Sequence, residues 1–257
     1  MAAPKNEPII YTAFILDFET GDLQPQTGAC TQIAIHAIRL DTFERIDRYV
    51  AYIKPYNQKP GLGKPKKKVL KSKFDQEEEI PMLYEEKALT YSAITMDMLE
   101  SMGKPIETVA VEVIDFFKRN TLNTKKNGKP FLIGQHIGFD IGFLQQMMEY
   151  GGQTKEFAKV LAGDVDFYGN FQPTYIDTII MGKLALCQLP DMNSYKLEIL
   201  AERLGIELDD AHDADADVAA TANVAAVLTK RMRNASGSAN DGIVMNNAEK
   251  TRKHFKF

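Results

Sequence analysis

Asp17 and Glu19 stand two residues apart in the run Phe14-Ile15-Leu16-Asp17-Phe18-Glu19-Thr20-Gly21. The bulky apolar residues 14–16 read as a strand. Side chains alternate along a strand, so the two carboxylates point to the same face. Neighbouring carboxylates repel. A fold that aims them together holds a cation between them or uses their displaced pKa values. The apolar flank argues for burial and against an exposed edge pair.

Further acids fall at places that could complete a metal site. Asp140 lies in Gln135-His136-Ile137-Gly138-Phe139-Asp140, at the start of a predicted helix just after a buried strand. Asp217 ends Ala211-His212-Asp213-Ala214-Asp215-Ala216-Asp217, where the last long helix begins. Acids placed where strands give way to helices can converge on one edge of a sheet. Oxygen-only ligands suit Mg²⁺ or Mn²⁺ rather than zinc. Asp213, one turn before Asp217, is an alternative ligand. Asp215 reads as solvated or as a first-turn charge favoured by the helix dipole. Asp177, after another short strand, reads as a helix cap. His36 and His254 carry no supporting context. Phe18, Phe139 and Phe143 read as core.

The elements that must position these residues follow from periodicity. Strands are expected over 9–19, 32–40 and 45–53, close enough to form an antiparallel meander. Residues 81–104 hold two short apolar patches. Pro105 opens a helix with Ile106, Val109, Val113, Phe116 and Phe117 on one face. A buried strand at 131–134 leads to a helix over 139–150 that ends at Gly151-Gly152. Residues 152–174 read as irregular. A short strand at 175–178, a helix to about 188, a helix at 195–204 and a last helix at 213–233 complete the order. Strands first, then helices alternating with strands, give an α/β domain with a mixed sheet flanked by helices.

Three regions stand apart. Residues 1–8 read as a loose leader. Residues 56–80 form a Pro- and Gly-broken loop with seven lysines between Lys59 and Lys73, more a solvated loop than a phosphate-binding one. Residues 234–257 turn rich in Ser, Gly, Asn and charge. They read as a disordered tail or a docking segment for a polymerase or another protein.

The 257 residues and 44% hydrophobic content are those of an ordinary globular chain. A net charge of −4 argues against nonspecific coating of nucleic acid, though not against a nucleic-acid enzyme whose bound cations restore the local field. No apolar run reaches the ~20 residues of a membrane helix. Cys30 and Cys187 have no close-spaced partners. A reducing, cytoplasmic setting without a disulfide is therefore expected.

The sequence resembles the DEDDh-type (DnaQ-like) 3′–5′ exonucleases, which include polymerase proofreading subunits and tRNA-trimming ribonucleases. Asp17-Phe18-Glu19-Thr20, the pair Phe139-Asp140, and His212 five residues before Asp217 match that family's three motifs in order and separation. Ala93-Ile94-Thr95-Met96-Asp97-Met98-Leu99 and Tyr175-Ile176-Asp177-Thr178 extend the likeness over roughly 9–233. Each motif alone is common by chance; three in order, each on the right kind of element, are specific.

The resemblance implies a ribonuclease H-like fold and two divalent ions, Mg²⁺ or Mn²⁺, held by Asp17, Glu19, Asp140 and Asp217. It implies His212 as the base for an attacking water, from a loop before the helix, since residues five apart do not share a helical face. Thr20, Ser92 and His136 are expected at the substrate. His136 departs from the Asn common in the family, and 56–90 and 152–174 look expanded. The activity implied is removal of nucleotides from a single-stranded or frayed 3′ end, releasing nucleoside 5′-monophosphates. The competing expectation is a noncatalytic nucleic-acid-binding or polymerase-associated module on the same fold.

Overall fold

A computed structural model of the chain describes residues 10–59, 79–124, 128–208 and 213–234. The leader 1–8, most of the lysine-rich loop, the tail beyond 234 and His212 lie outside the described residues.

The expected meander is present. β1 (Thr12–Thr20), β2 (Cys30–Arg39) and β3 (Arg45–Tyr52) pair antiparallel in sequence. β4 (Phe131–Gly134) then lies parallel to β1, and β7 (Tyr175–Asp177) parallel to β4. The sheet order is β3-β2-β1-β4-β7, the mixed sheet of the ribonuclease H-like fold. Alternation along β1 decides what each face receives. Phe14, Leu16 and Phe18 enter one core; Ala13 and Ile15 enter the other. Asp17 and Glu19 continue the second row, so they emerge at the end of that face.

Helices cover both faces. On the Phe14 side lie α3 (Ile106–Arg119) and α4 (Gly138–Tyr150). All five apolar positions expected on the α3 face are buried, and Phe14 packs against Phe117 with ring centroids 4.6 Å apart. On the Ile15 side lie α6 (Thr178–Leu186), α7 (Leu197–Leu204) and α8 (Ala214–Asn234), through Met181, Leu200 and Val218. α7 ends at Gly205, whose φ of 70° suits the left-handed cap that glycine accommodates.

One stretch gains elements and one expectation is corrected. The patches of 81–104 are helices, α1 (Glu86–Tyr91) and α2 (Met96–Met102), the second capped by the Thr95 side chain accepting from the Met98 N–H. The stretch 152–174 is not irregular. It holds α5 (Thr154–Val160) and a hairpin of β5 (Gly163–Val165) and β6 (Phe171–Pro173). Elements this short depend on tertiary anchors rather than on their own periodicity. Phe157 is buried and meets Phe171 edge-on at 5.2 Å. Asp166 accepts the Tyr168 and Asn170 N–H groups and ties the turn. Both cysteines are free, and no helix among the described residues is long and apolar enough to cross a membrane.

Candidate active site

Three elements meet at the end of β1. β1 itself supplies Asp17 and Glu19. The crossover from β4 brings the first turn of α4, and with it Asp140, alongside β1, as parallel β-α connections do at the carboxyl ends of strands. Asp140 is 3% exposed, and its Oδ1 accepts the Phe18 N–H at 3.0 Å. That bond locks the acid to the backbone between Asp17 and Glu19. The start of α8, seated by buried Ala214 and Val218, delivers Asp217. Carboxylate oxygens of Asp17, Glu19 and Asp217 all lie within 4.8 Å of one another.

The field inside this cluster is strongly negative. Burial, then the charges of Asp140, Glu19, Asp217 and Asp213, push the Asp17 carboxyl well above its usual range. Burial, Asp217 and Asp213 push Glu19 up to about 8. Burial likewise raises Asp140, although the Phe18 N–H opposes the shift. No Lys, Arg or His among the described residues forms an ion pair with Asp17, Glu19 or Asp140. Convergent, partly buried, oxygen-only groups fit a hard divalent ion.

The carboxylates floor a cleft of about 890 Å³. One wall is the turn after β1, with Thr20 and Leu23, and the α1 residues Lys87 and Tyr91. The other is formed by Lys183 of α6 and by Tyr195 and Lys196 before α7. Gly21 is required at the turn: a Cβ there would lie 2.3 Å from the Leu83 carbonyl oxygen. Gln135, also in the cleft, donates to the Tyr195 carbonyl at 2.8 Å and fixes that loop. Sequence reasoning missed Leu23, Tyr91, Lys183, Tyr195 and Lys196.

The remaining expected residues divide. Thr20 lines the cleft, with its hydroxyl donating to the Asp22 carbonyl at 3.0 Å. His136 also lines it, exposed, at φ 56°. Asn and His are among the side chains that tolerate this left-handed backbone, so the departure from Asn keeps the turn. Ser92 is 7% exposed, its hydroxyl donates back to the Ala88 and Leu89 carbonyls, and it is not among the residues lining the cleft. Asp177 caps α6 by accepting the Ile179 N–H at 2.9 Å, and also accepts the His136 N–H. Phe18 and Phe143 are core, while Phe139 is partly buried and faces the cleft. Asp215 is a first-turn acid of α8, the second of its two readings, and it contacts His36 at 2.8 Å with Arg48 on the same carboxylate. His36, which has no supporting context in the sequence, is buried against that carboxylate.

The RNase T exonuclease family model matches residues 68–225, a span that includes Asp140 and Asp217 and begins after Asp17 and Glu19. Solved structures of exonuclease I share the fold. One exonuclease I structure has a TM-score of 0.59 at 21% identity, covering 87% of this chain and 42% of that one. The E. coli enzyme in complex with a dT13 oligonucleotide gives 0.59 at 20%, covering 88% and 42%. Its zinc-bound complex with single-stranded DNA gives 0.58 at 22%, covering 87% and 42%. The chain thus spans about two-fifths of those proteins. No curated protein sequence matches. With the family model covering more than half of its length, this chain belongs to the exonuclease family.

Proposed function

We propose that the chain is a metal-dependent 3′–5′ exonuclease acting on a single-stranded or frayed 3′ end and releasing nucleoside 5′-monophosphates. The observation that carries this reading is the convergence of Asp17, Glu19 and Asp217 oxygens within 4.8 Å at the floor of a cleft, with buried Asp140 beside them. The exonuclease domain is taken as 9–233, with the tail as a candidate docking segment for a polymerase or another protein. The DNA oligonucleotides bound to exonuclease I favour DNA as the first substrate to assay, with RNA alongside.

Asp17, Glu19, Asp140 and Asp217 would hold two ions, Mg²⁺ or Mn²⁺. When bound, such ions polarise the scissile phosphate and lower the pKa of a coordinated water. The rest falls to this chain's own groups. The Phe18 N–H holds Asp140 in its orientation. His212, five residues before Asp217, takes the proton of the attacking water at an imidazole nitrogen. Tyr91 and Tyr195 offer faces on which unpaired bases stack. Lys87, Lys183 and Lys196 meet the strand's phosphates at the rim while the acids repel them from an empty floor. Thr20 and His136 meet the terminal nucleotide.

A 5′-labelled oligonucleotide incubated with Mg²⁺ tests the reading. The wild-type protein should shorten it stepwise from the 3′ end and release 5′-monophosphates. Asp17→Ala and Asp217→Asn should each abolish the ladder while leaving the circular dichroism spectrum unchanged. Full activity in both variants would sink the assignment.

A further inference from the structure

The row of β2 that faces α8 turns polar where α8 begins. Alternation sets Gln32, Ala34, His36 and Ile38 on that face, and Ala34 and Ile38 belong to the core beneath α8. Across β1, Glu19 stands opposite Gln32, Asp17 opposite Ala34 and Ile15 opposite His36. Across β3, His36 stands opposite Arg48. Both polar residues of the row reach acids at the start of α8. Gln32 Nε2 donates to Asp213 Oδ1 at 3.2 Å. His36 Nε2 meets Asp215 Oδ1 at 2.8 Å, and Arg48 Nε meets the same oxygen at 3.1 Å.

The chemistry of this contact is asymmetric. His36 is 2% exposed. Burial holds its imidazole below the usual range, and the Asp215 bond opposes that shift without cancelling it. A neutral ring N–H therefore donates to the carboxylate, and Arg48 supplies the positive charge. A helix turns ~100° per residue, so Asp215 and Asp217 lie on opposite flanks of α8. Asp217 leans toward the acids of β1; Asp215 leans toward β3. Repulsion between Asp217 and the β1 carboxylates tends to roll the helix away. A grip on the opposite flank resists that roll.

We infer that His36 and Arg48, acting through Asp215, are positioning residues that fix the roll of α8 and hence the reach of Asp217 into the carboxylate cluster. The inference rests on the functional reading above, because it assigns Asp217 to a metal. Partners behind the ligands of a metal site typically affect affinity 10–100-fold. The clamp differs from a generic packing contact in what it controls: metal affinity and order at one helix end, not substrate binding.

The test uses the full chain and compares wild type with Asp215→Ala, Asp215→Asn and Arg48→Ala. Mn²⁺ binding is followed by calorimetry, and amide exchange over 214–218 is followed without metal. Asp215→Ala should bind Mn²⁺ at least about tenfold more weakly and exchange faster at the start of α8. Its kcat at limiting Mn²⁺ should fall while KM for an oligonucleotide holds, and excess Mn²⁺ should restore the rate. Asp215→Asn keeps an acceptor for His36 and should recover much of the loss. Arg48→Ala removes a side chain that is 54% exposed, so it should fold normally and lose a few-fold in affinity. Should Asp215→Ala fail to fold, the other two variants decide. Wild-type affinity and exchange in folded variants would overturn the clamp alone. A wild-type protein that binds no Mn²⁺ would remove the functional reading, and the clamp with it.

Discussion

Replacing Glu19 by Gln should stabilise the metal-free protein at pH 8 and cost it its metal. In the folded chain Glu19 titrates at about 8 instead of 4.5, because of burial and the charges of Asp217 and Asp213. Its folded pKa is raised, so the protonated carboxyl contributes stability that is fully present below about 4.5. That contribution is lost as pH rises through about 8. Each pH unit across that interval is worth ~1.36 kcal/mol, giving ~5 kcal/mol as an upper bound. Partial exposure and sharing of charge among the acids reduce this to roughly 2–3 kcal/mol. For a domain of this size that corresponds to a melting temperature change of about 5–10 °C. In EDTA, wild type should melt progressively lower from pH 5.5 to 8.5. Glu19→Gln, in which Asp17 and Asp140 still titrate high, should fall less and lie above wild type at the alkaline end. Adding Mg²⁺ at pH 8 should reverse the order, because only the wild type gains by binding. Parallel melting curves for the two proteins across that pH range in EDTA would refute the reasoning.

Other outcomes follow from the walls of the cleft and from the packing. Tyr195→Ala should raise KM for single-stranded oligonucleotides roughly tenfold with kcat nearly unchanged, given ~1–3 kcal/mol per stacked base; steady-state kinetics would show it. Lys183→Ala should weaken oligonucleotide binding and flatten its dependence on salt, measured by fluorescence anisotropy at several NaCl concentrations. Gly21→Ala places a Cβ against the Leu83 carbonyl and should destabilise by about 1–3 kcal/mol, read from urea midpoints. Phe14→Ala empties a fully buried ring position among Phe116 and Phe117 and should cost about 3–5 kcal/mol in the same measurement.

What the sequence discloses depends on how local the cause is. The alternation of β1 and the stripe of α3 are period effects, readable without any partner. Asp177 as a cap is equally local, since it needs only the N–H two residues on. α1, α5 and the β5–β6 hairpin escape such reading because their stability comes from contacts such as Phe157 with Phe171. Ser92 sits beside a family segment, yet its hydroxyl turns back to close α1. The His36–Asp215 pair joins residues 179 positions apart and depends on the registers of β1, β2 and β3 together. His136 lines the cleft as expected, but the positive φ that lets His stand there is announced by no pattern of residue types. The acids were legible because their spacing on one strand makes sense only if something neutralises them.

Calorimetric titration of the wild-type protein with Mn²⁺, beside Asp17→Asn, tests the central claim most directly. The account predicts two ions bound per chain, with affinity rising between pH 6 and 8 as Glu19 gives up its proton, and loss of both ions in the variant. A wild-type titration that shows no binding at pH 8 would contradict it.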